Sequence, residues 1–194
     1  MVGGRFDEFV EAFRGELEKL EPGDPLDEGT ELGPLSSEAA MSLLIDQIQG
    51  AVRHGATLVT GGQRLGGRGA FVQPAILTGV TANNPAHHQE FFGPAAIVYS
   101  AKDEAEAVAT ANDSPFGLSG SIYTTDIDRA RRLASQIESG MINYPSISSP
   151  ELPFGGVKRS GYAKELSEDG LLEFVNKKLI CTPKALTRTY TSSL

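Results

Sequence analysis

The chain has 194 residues (20.6 kDa), 40% hydrophobic and 22% charged, which suits one domain, or one domain with an appendage, around a buried core. Its net charge of −8 argues against a broad nucleic-acid surface, and no apolar run approaches the ~20 residues that a membrane span needs. The first residues lack the apolar stretch of a secretion signal, and the single cysteine, Cys181, excludes an internal disulfide. We therefore expect a cytoplasmic protein that binds neither nucleic acid nor membrane.

Two amphipathic helices are predicted first along the chain. Six apolar residues between positions 6 and 20 recur at three- and four-residue steps, and the prolines of residues 22–25 end that pattern. Ser36 or Ser37 caps the second helix. Its predicted buried stripe consists of Met41, Leu44, Ile45, Ile48 and Val52.

Short apolar runs at residues 57–60, 71–77 and 95–100 predict three strands, and Pro74 indicates that the second is an edge strand or is bent. A helix follows, with Asp103 and Glu106 in the spacing of a capping box.

A strand at residues 120–123 precedes a helix capped by Asp126, and Gly140 is predicted as a left-handed residue at a helix end. Residues 175–180 form the last predicted strand, and the polar tail after it either frays or joins a sheet in a neighbouring subunit. The alternation of strands and helices predicts an α/β fold with parallel strands.

Two possible reactive groups have ordinary alternatives. His87 and His88 offer metal ligands, but adjacent side chains point apart, so we expect a solvated loop and no metal site. Cys181 is either a nucleophile or an ordinary strand residue, and the second interpretation is favoured because no structured pocket is predicted around it.

The acid and the aromatic rings of residues 89–94 precede a Gly-Pro stop and have two interpretations. The Glu90 carboxylate is able to accept both hydrogen bonds of a ribose diol, and a ring is able to lie against a flat heterocycle. Alternatively the rings form a hydrophobic plug beneath a loop. Residues 152–162 form a long glycine-containing loop around Phe154, and such a backbone permits close approach of a ligand or another chain.

These two segments resemble the aldehyde dehydrogenase superfamily. Residues 90–94 resemble its Glu-x-Phe-Gly-Pro motif, and residues 152–166 resemble its Pro-Phe-Gly-Gly…Ser-Gly…Glu-Leu signature. The order and spacing of the matches agree over nearly the whole chain. Within the family, residues 147–151 and 173–176 look most like the succinate-semialdehyde branch.

The resemblance implies that a cysteine thiolate attacks an aldehyde, that hydride passes to NAD or NADP, and that a glutamate-activated water releases the acid. By position, Glu90 matches the residue that holds the nicotinamide ribose hydroxyls, and Phe92 matches the ring beside that ribose. Phe154 matches an aromatic wall of the substrate tunnel. Ser148 matches a serine that hydrogen-bonds the distal carboxylate of succinate semialdehyde, although residues 140–148 look about two residues short.

The same resemblance implies an incomplete parallel-sheet, three-layer catalytic domain. The family's nucleophilic cysteine, its general-base glutamate and its cofactor domain match no part of these residues, so no catalytic residue is assigned and the chain alone is expected to be inactive. Residues 1–174 are expected to be part of the catalytic domain, and residues 175–194 an oligomerisation strand and tail that pairs copies of the chain. The alternative is a non-enzymatic, shortened paralogue that pairs with full-length subunits.

Overall fold

The protein is described by a computed structural model over residues 4–143 and 149–182. Among the helices in these ranges, none is both long and apolar enough to cross a membrane. The elements are α1 (Phe6–Leu17), α2 (Glu38–Arg53), β1 (Thr57–Thr60), β2 (Ala75–Thr78), a 3₁₀ turn (Pro85–His88), β3 (Ala95–Ile97), α3 (Glu104–Asn112), β4 (Phe116–Gly117), β5 (Ser119–Ser121), α4 (Ile127–Ala134), β6 (Met141–Asn143), β7 (Val157–Lys158) and α5 (Ser167–Leu172).

The strands form three small sheets. The first has the order β1-β2-β3, with β1 antiparallel and β3 parallel to the central β2. In the other two, β4 pairs with β7 antiparallel and β5 pairs with β6 parallel. The predicted α/β character is therefore confirmed, with both strand directions present. The second predicted strand is shorter than expected because β2 begins directly after Pro74, whose nitrogen has no hydrogen to donate.

The hydrophobic core lies between α2 and the first sheet. The predicted cap is confirmed, since Ser37 Oγ accepts a hydrogen bond of 3.1 Å from Ala40 N. Leu44 and Ile48 are fully buried with Leu77 of β2, as the helical spacing indicated. The prediction that Val52 is a core residue is wrong, because Val52 is 40% exposed. The small Ala51 is buried in the last turn instead.

The strand predicted over residues 175–180 is not present in the described chain. Residues 176–180 carry neither helix nor strand, and Leu179 and Ile180 are exposed. A β-strand needs a second strand to satisfy its backbone groups, and no described segment pairs with this one.

Candidate functional site

The segment with Glu90 and Phe92 is anchored to the core by the 3₁₀ turn that precedes it. Asn84, which is buried, donates from Nδ2 to the carbonyl oxygens of Ala51 (2.8 Å) and His54 (3.3 Å). Its Oδ1 accepts from Ala86 N at 3.0 Å and so caps the turn. The end of α2 and the start of the segment are thereby joined through one satisfied buried amide.

Phe91 and Phe92 take opposite positions in this segment. Phe91 packs against the core, whereas Phe92 is 75% exposed and Glu90 is exposed as well. Gln47 Nε2 of α2 donates to the Glu90 carbonyl oxygen at 3.2 Å, which fixes the backbone and leaves the carboxylate outside. Each of the two interpretations of this segment therefore applies to different residues in it. Phe91 is the plug, and Glu90 and Phe92 are presented to solvent.

Gly93 allows this segment to lie close to the core. A Cβ at Gly93 would collide with Leu44 and Leu35 side chains, so no larger residue fits there without movement. The Pro94 carbonyl oxygen then accepts from Ala75 N at 2.8 Å, at the start of the β2–β3 pair. Position 93 thus sets the distance between the exposed pair and the sheet.

The loop with Phe154 is held by close backbone approaches. Gly140 is not left-handed, which corrects the sequence prediction. A Cβ at Gly140 would instead collide with the Gly155 carbonyl oxygen, and Gly140 N donates to the Gly117 oxygen at 3.0 Å. Glycine is required at position 140 because two backbone segments touch there, and that contact places residues 154–156.

Further hydrogen bonds secure the loop on β4. Ser160 Oγ accepts from Gly117 N at 3.1 Å, and Lys158 Nζ donates to the carbonyl oxygens of Asn112 (2.8 Å) and Ser114 (3.1 Å). Lys158 has a φ of 56°, a conformation that costs energy for a residue with a side chain. The two hydrogen bonds of its ammonium group hold Lys158 in that conformation.

Phe154 is half-buried and lines a cavity formed by its own loop and Leu118. Its backbone exchanges two hydrogen bonds with Glu165, of 2.8 and 2.6 Å. The cavity, about 230 Å³, is also lined by Leu118, Ser160 and Tyr162 among others, and the lining includes neither Glu90 nor Phe92. The structure thus presents Glu90 and Phe92 as one group and Phe154 as another. Ser148, the fourth predicted site residue, lies outside the described residues.

His87 does not lie in a solvated loop, contrary to the sequence prediction. Its side chain is only 7% exposed, with Nδ1 3.1 Å from the Tyr99 hydroxyl and Nε2 2.9 Å from Asp113 Oδ2. The hydrogen bond from His87 lowers the pKa of the Asp113 carboxyl, and burial raises the pKa of Tyr99. No sequence signal pointed to this group, because Asp113 follows 26 residues later in another element.

Cys181 is exposed and directly follows the stretch without helix or strand. The described cavity around Phe154 does not include it. Neither observation favours a nucleophile, which needs a positive or helix-terminal setting.

Comparison with known proteins gives a consistent result. The sequence model of the aldehyde dehydrogenase family matches residues 2–180. A curated relative, the NADP(+) succinate-semialdehyde dehydrogenase of Deinococcus radiodurans, is 52% identical over 182 residues, covering 93% of this chain and 38% of the relative. The chain thus spans about two fifths of the length of the curated relatives it matches.

Solved structures extend the likeness to the fold. The succinic semialdehyde dehydrogenase of Streptococcus pyogenes, in complex with NADP+, is 44% identical with a TM-score of 0.90, over 94% of this chain and 41% of that one. The betaine aldehyde dehydrogenase of Staphylococcus aureus, in complex with NAD+, is 32% identical with a TM-score of 0.82, over 88% of this chain and 35% of that one. The expected fold class is confirmed by these similarities.

Proposed function

The chain belongs to the aldehyde dehydrogenase family, and from this premise we propose that it supplies two walls of an NADP-dependent succinate-semialdehyde dehydrogenase site. One wall holds the nicotinamide end of the cofactor, and the other borders the aldehyde. The single observation that carries the proposal is the outward presentation of Glu90 and Phe92 from a segment fixed to the core on both sides. The names of the relatives support both the substrate and the preference for NADP over NAD.

Glu90 is proposed to bind the nicotinamide ribose. An ionised carboxylate only accepts hydrogen bonds, and its two oxygens match the two hydroxyls of a ribose diol. Such charge-assisted bonds are stronger than neutral ones. Because the Glu90 carbonyl oxygen is already bonded to Gln47, the side chain approaches a ligand from a fixed backbone. The bound cofactor would accept hydride from the substrate carbon, and Glu90 would orient it.

Phe92 and Phe154 are proposed to supply apolar surface. Phe92, exposed on its anchored segment, would lie beside the same ribose, and covering it with a ligand would remove apolar area from water. Phe154 would form part of the aldehyde tunnel, since it lines a cavity between its own loop and Leu118. Ser148 is proposed to donate to a distal carboxylate of the substrate.

The experiment uses a chimera in which the matching C-terminal part of the Deinococcus radiodurans enzyme is replaced by this chain. We expect NADPH to form with succinate semialdehyde, and Glu90→Gln to lower kcat/KM for NADP by about tenfold or more. The estimate follows because a hydrogen bond to a charged group contributes about 1.5–3 kcal/mol, and about 1.4 kcal/mol is a factor of ten.

Glu28→Gln is the matched control, since Glu28 is an exposed carboxylate on the loop before α2. It should leave kcat/KM unchanged. A chimera that is folded and active but indifferent to Glu90→Gln would contradict the assignment of Glu90. A folded chimera with no aldehyde-dependent NADPH formation would contradict the proposed function itself.

The 194-residue chain alone is proposed to be inactive, because its only cysteine is the exposed Cys181 and the family's chemistry requires a cysteine nucleophile. Aldehyde-dependent NADPH formation by the purified chain would contradict this, and loss of that activity in Cys181→Ala would establish the alternative nucleophile.

We also propose that residues 1–174 belong to the catalytic domain and that residues 175–194 pair copies of the chain. The exposed apolar residues Leu179 and Ile180 support pairing, because an unpaired apolar segment is typical of an interaction surface. The same observation favours the second candidate function, a non-enzymatic module that joins full-length subunits.

Light scattering tests the pairing. The chain should self-associate, and Leu179→Ser should reduce that association, whereas the equally exposed Leu26→Ser should not. Co-purification with a full-length homologue distinguishes the second candidate. A chain that stays monomeric and captures no homologue would rule out both forms of pairing.

A further inference from the structure

His87, His88 and Asp113 converge at one point on the surface although they come from two elements. Each offers one ligand atom, and these atoms lie within 4.8 Å of one another. The two imidazole rings are 4.7 Å apart between centroids and meet edge to face at 72°. His87 Nε2 and Asp113 Oδ2 are 2.9 Å apart, which suits a hydrogen bond and equally suits two adjacent ligands of one metal ion.

Tyr99 supplies the outer partner that a metal-binding histidine needs. Its hydroxyl oxygen lies 3.1 Å from His87 Nδ1. In the metal-bound form, the Tyr99 oxygen would accept the Nδ1 proton. Nε2, which otherwise donates to Asp113, would then carry no hydrogen and would bind the metal beside the carboxylate. The two rings also meet edge to face at 5.6 Å between centroids, so the His87 ring is held in one orientation.

From this geometry we propose that His87, His88 and Asp113 form a binding site for a divalent transition-metal ion of the zinc class. Two imidazoles and one carboxylate suit zinc and its neighbours, whereas calcium and magnesium prefer oxygen ligands alone. His88 and Asp113 are exposed, so water can complete the coordination. The sequence predicted no metal here because adjacent side chains were expected to point apart, and Asp113 lies too far along the chain to be considered with them.

Two cations oppose the ion and limit its affinity. Arg159 lines the same surface depression as His88 and Asp113, and the charge of Lys158 acts on Asp113 as well. Both are engaged elsewhere. Lys158 Nζ is 2.9 Å from Glu138 Oε2, and the Arg159 guanidinium lies 5.4 Å from the centroid of the Phe116 ring. We therefore expect a moderate affinity for the metal ion. Added salt should weaken it little, because coordination bonds are not screened by salt.

A metal ion here would connect two parts of the molecule. His87 and His88 end the 3₁₀ turn that precedes the Glu90 segment, and Asp113 caps the C-terminal end of α3. The bound ion would hold the end of α3 against that turn. The proposal does not depend on the proposed dehydrogenase function.

The test is Zn²⁺ titration of the untagged 194-residue chain by calorimetry, together with thermal unfolding. All variants carry Cys181→Ser, because an exposed thiol is able to bind zinc by itself. We expect one Zn²⁺ per chain, a Tm that rises with Zn²⁺ concentration, and an affinity reduced by more than about tenfold in His88→Ala and in Asp113→Asn. Co²⁺ in place of Zn²⁺ should give a visible absorption band that His88→Ala abolishes.

His54→Ala is the matched control, since His54 is an exposed histidine whose Nδ1 lies 2.8 Å from the Gly50 carbonyl oxygen of its own helix. It should bind Zn²⁺ like the parent. His88→Ala should unfold at the parent's Tm without metal, which shows that the fold is kept. Absence of Zn²⁺ binding overturns the proposal, and so does equal binding by His88→Ala and Asp113→Asn.

Discussion

Residues 4–101 and the described residues after position 101 are built differently. The first region buries a cluster of large side chains between α2 and its sheet, among them Leu44, Ile48 and Leu77. In the second region, the buried residues among positions 102–142 and 149–182 are Gly117, Gly156 and Gly170. One region therefore gains stability from apolar burial, and the other is organised by close backbone contact.

The difference bears on what holds the second region together. Its interactions are helix caps, short strand pairs and ion pairs at the surface, and exposed ion pairs contribute little to stability. Tyr123, Leu171 and Phe174 are largely exposed there. Because the chain spans 38% of the Deinococcus radiodurans relative, that relative has additional residues able to cover such a surface. We infer that the second region is the less stable of the two in the 194-residue chain.

The largest expected effect is the loss of a core side chain in the first region. Leu44 is 1% exposed, and Leu44→Ala should lower the free energy of unfolding by about 2–5 kcal/mol because it removes apolar contacts and leaves a cavity. Leu171→Ala in the second region, where the leucine is 69% exposed, should change it by less than about 0.5 kcal/mol. Urea unfolding measures both, and equal effects would contradict the division into two regions.

A smaller effect is expected where backbones touch in the second region. Gly140→Ala places a methyl group against the Gly155 carbonyl oxygen and should cost about 1–3 kcal/mol by overpacking. Hydrogen exchange should speed up around residues 154–160 and stay unchanged at α2. Gly66→Ala is the control, since a Cβ at position 66 meets nothing within 4 Å. Unchanged exchange in Gly140→Ala would show that the contact does not position the loop.

A helix cap gives a third, still smaller effect. Asp126 Oδ1 accepts from Arg129 N at 2.9 Å, so Asp126→Ala should destabilise α4 by about 1 kcal/mol. Asp126→Asn keeps an acceptor oxygen and should behave like the parent. Because the described residues of the second region include no buried large apolar side chain, the loss should appear as faster exchange in α4. If Asp126→Asn destabilises as much as Asp126→Ala, the charge rather than the cap is responsible.

Local signals account for the parts of the fold that were predicted correctly. The caps at Ser37, Asp103 and Asp126 are predictable from the sequence, because each joins two residues three positions apart in one turn. The α/β class follows from the alternation of predicted strands and helices, each of which is recognised from a local pattern. Gly140 was misassigned because its role comes from Gly155, a contact that no local pattern encodes. Residues 175–180 were assigned to a strand from composition, which cannot supply a partner.

The candidate site also has some features that local patterns predict and others that only the fold shows. Glu90, Phe92 and Phe154 are candidates by motif, and the structure adds that Phe91, not Phe92, packs against the core. The cluster of His87, His88 and Asp113 is not predictable from the sequence, because the 3₁₀ turn and the end of α3 meet only in the folded chain. Sequence patterns therefore selected single candidate residues, and the fold shows which of them lie close together.

The smallest expected effect concerns an ion pair of the second region. The pKa of Glu104 is lowered, chiefly by its hydrogen bond from Arg132 and also by Arg129. A carboxylate whose pKa is lower in the folded state stabilises the fold above its ordinary pKa of 4.5, and that contribution is lost as the pH falls through the folded-state value. We therefore expect the urea midpoint of the parent to fall when the pH is lowered from neutral to below 4.5. The midpoint of Glu104→Gln should fall by less. Glu28→Gln should follow the parent, and an identical pH dependence in Glu104→Gln would show that this ion pair does not stabilise the region.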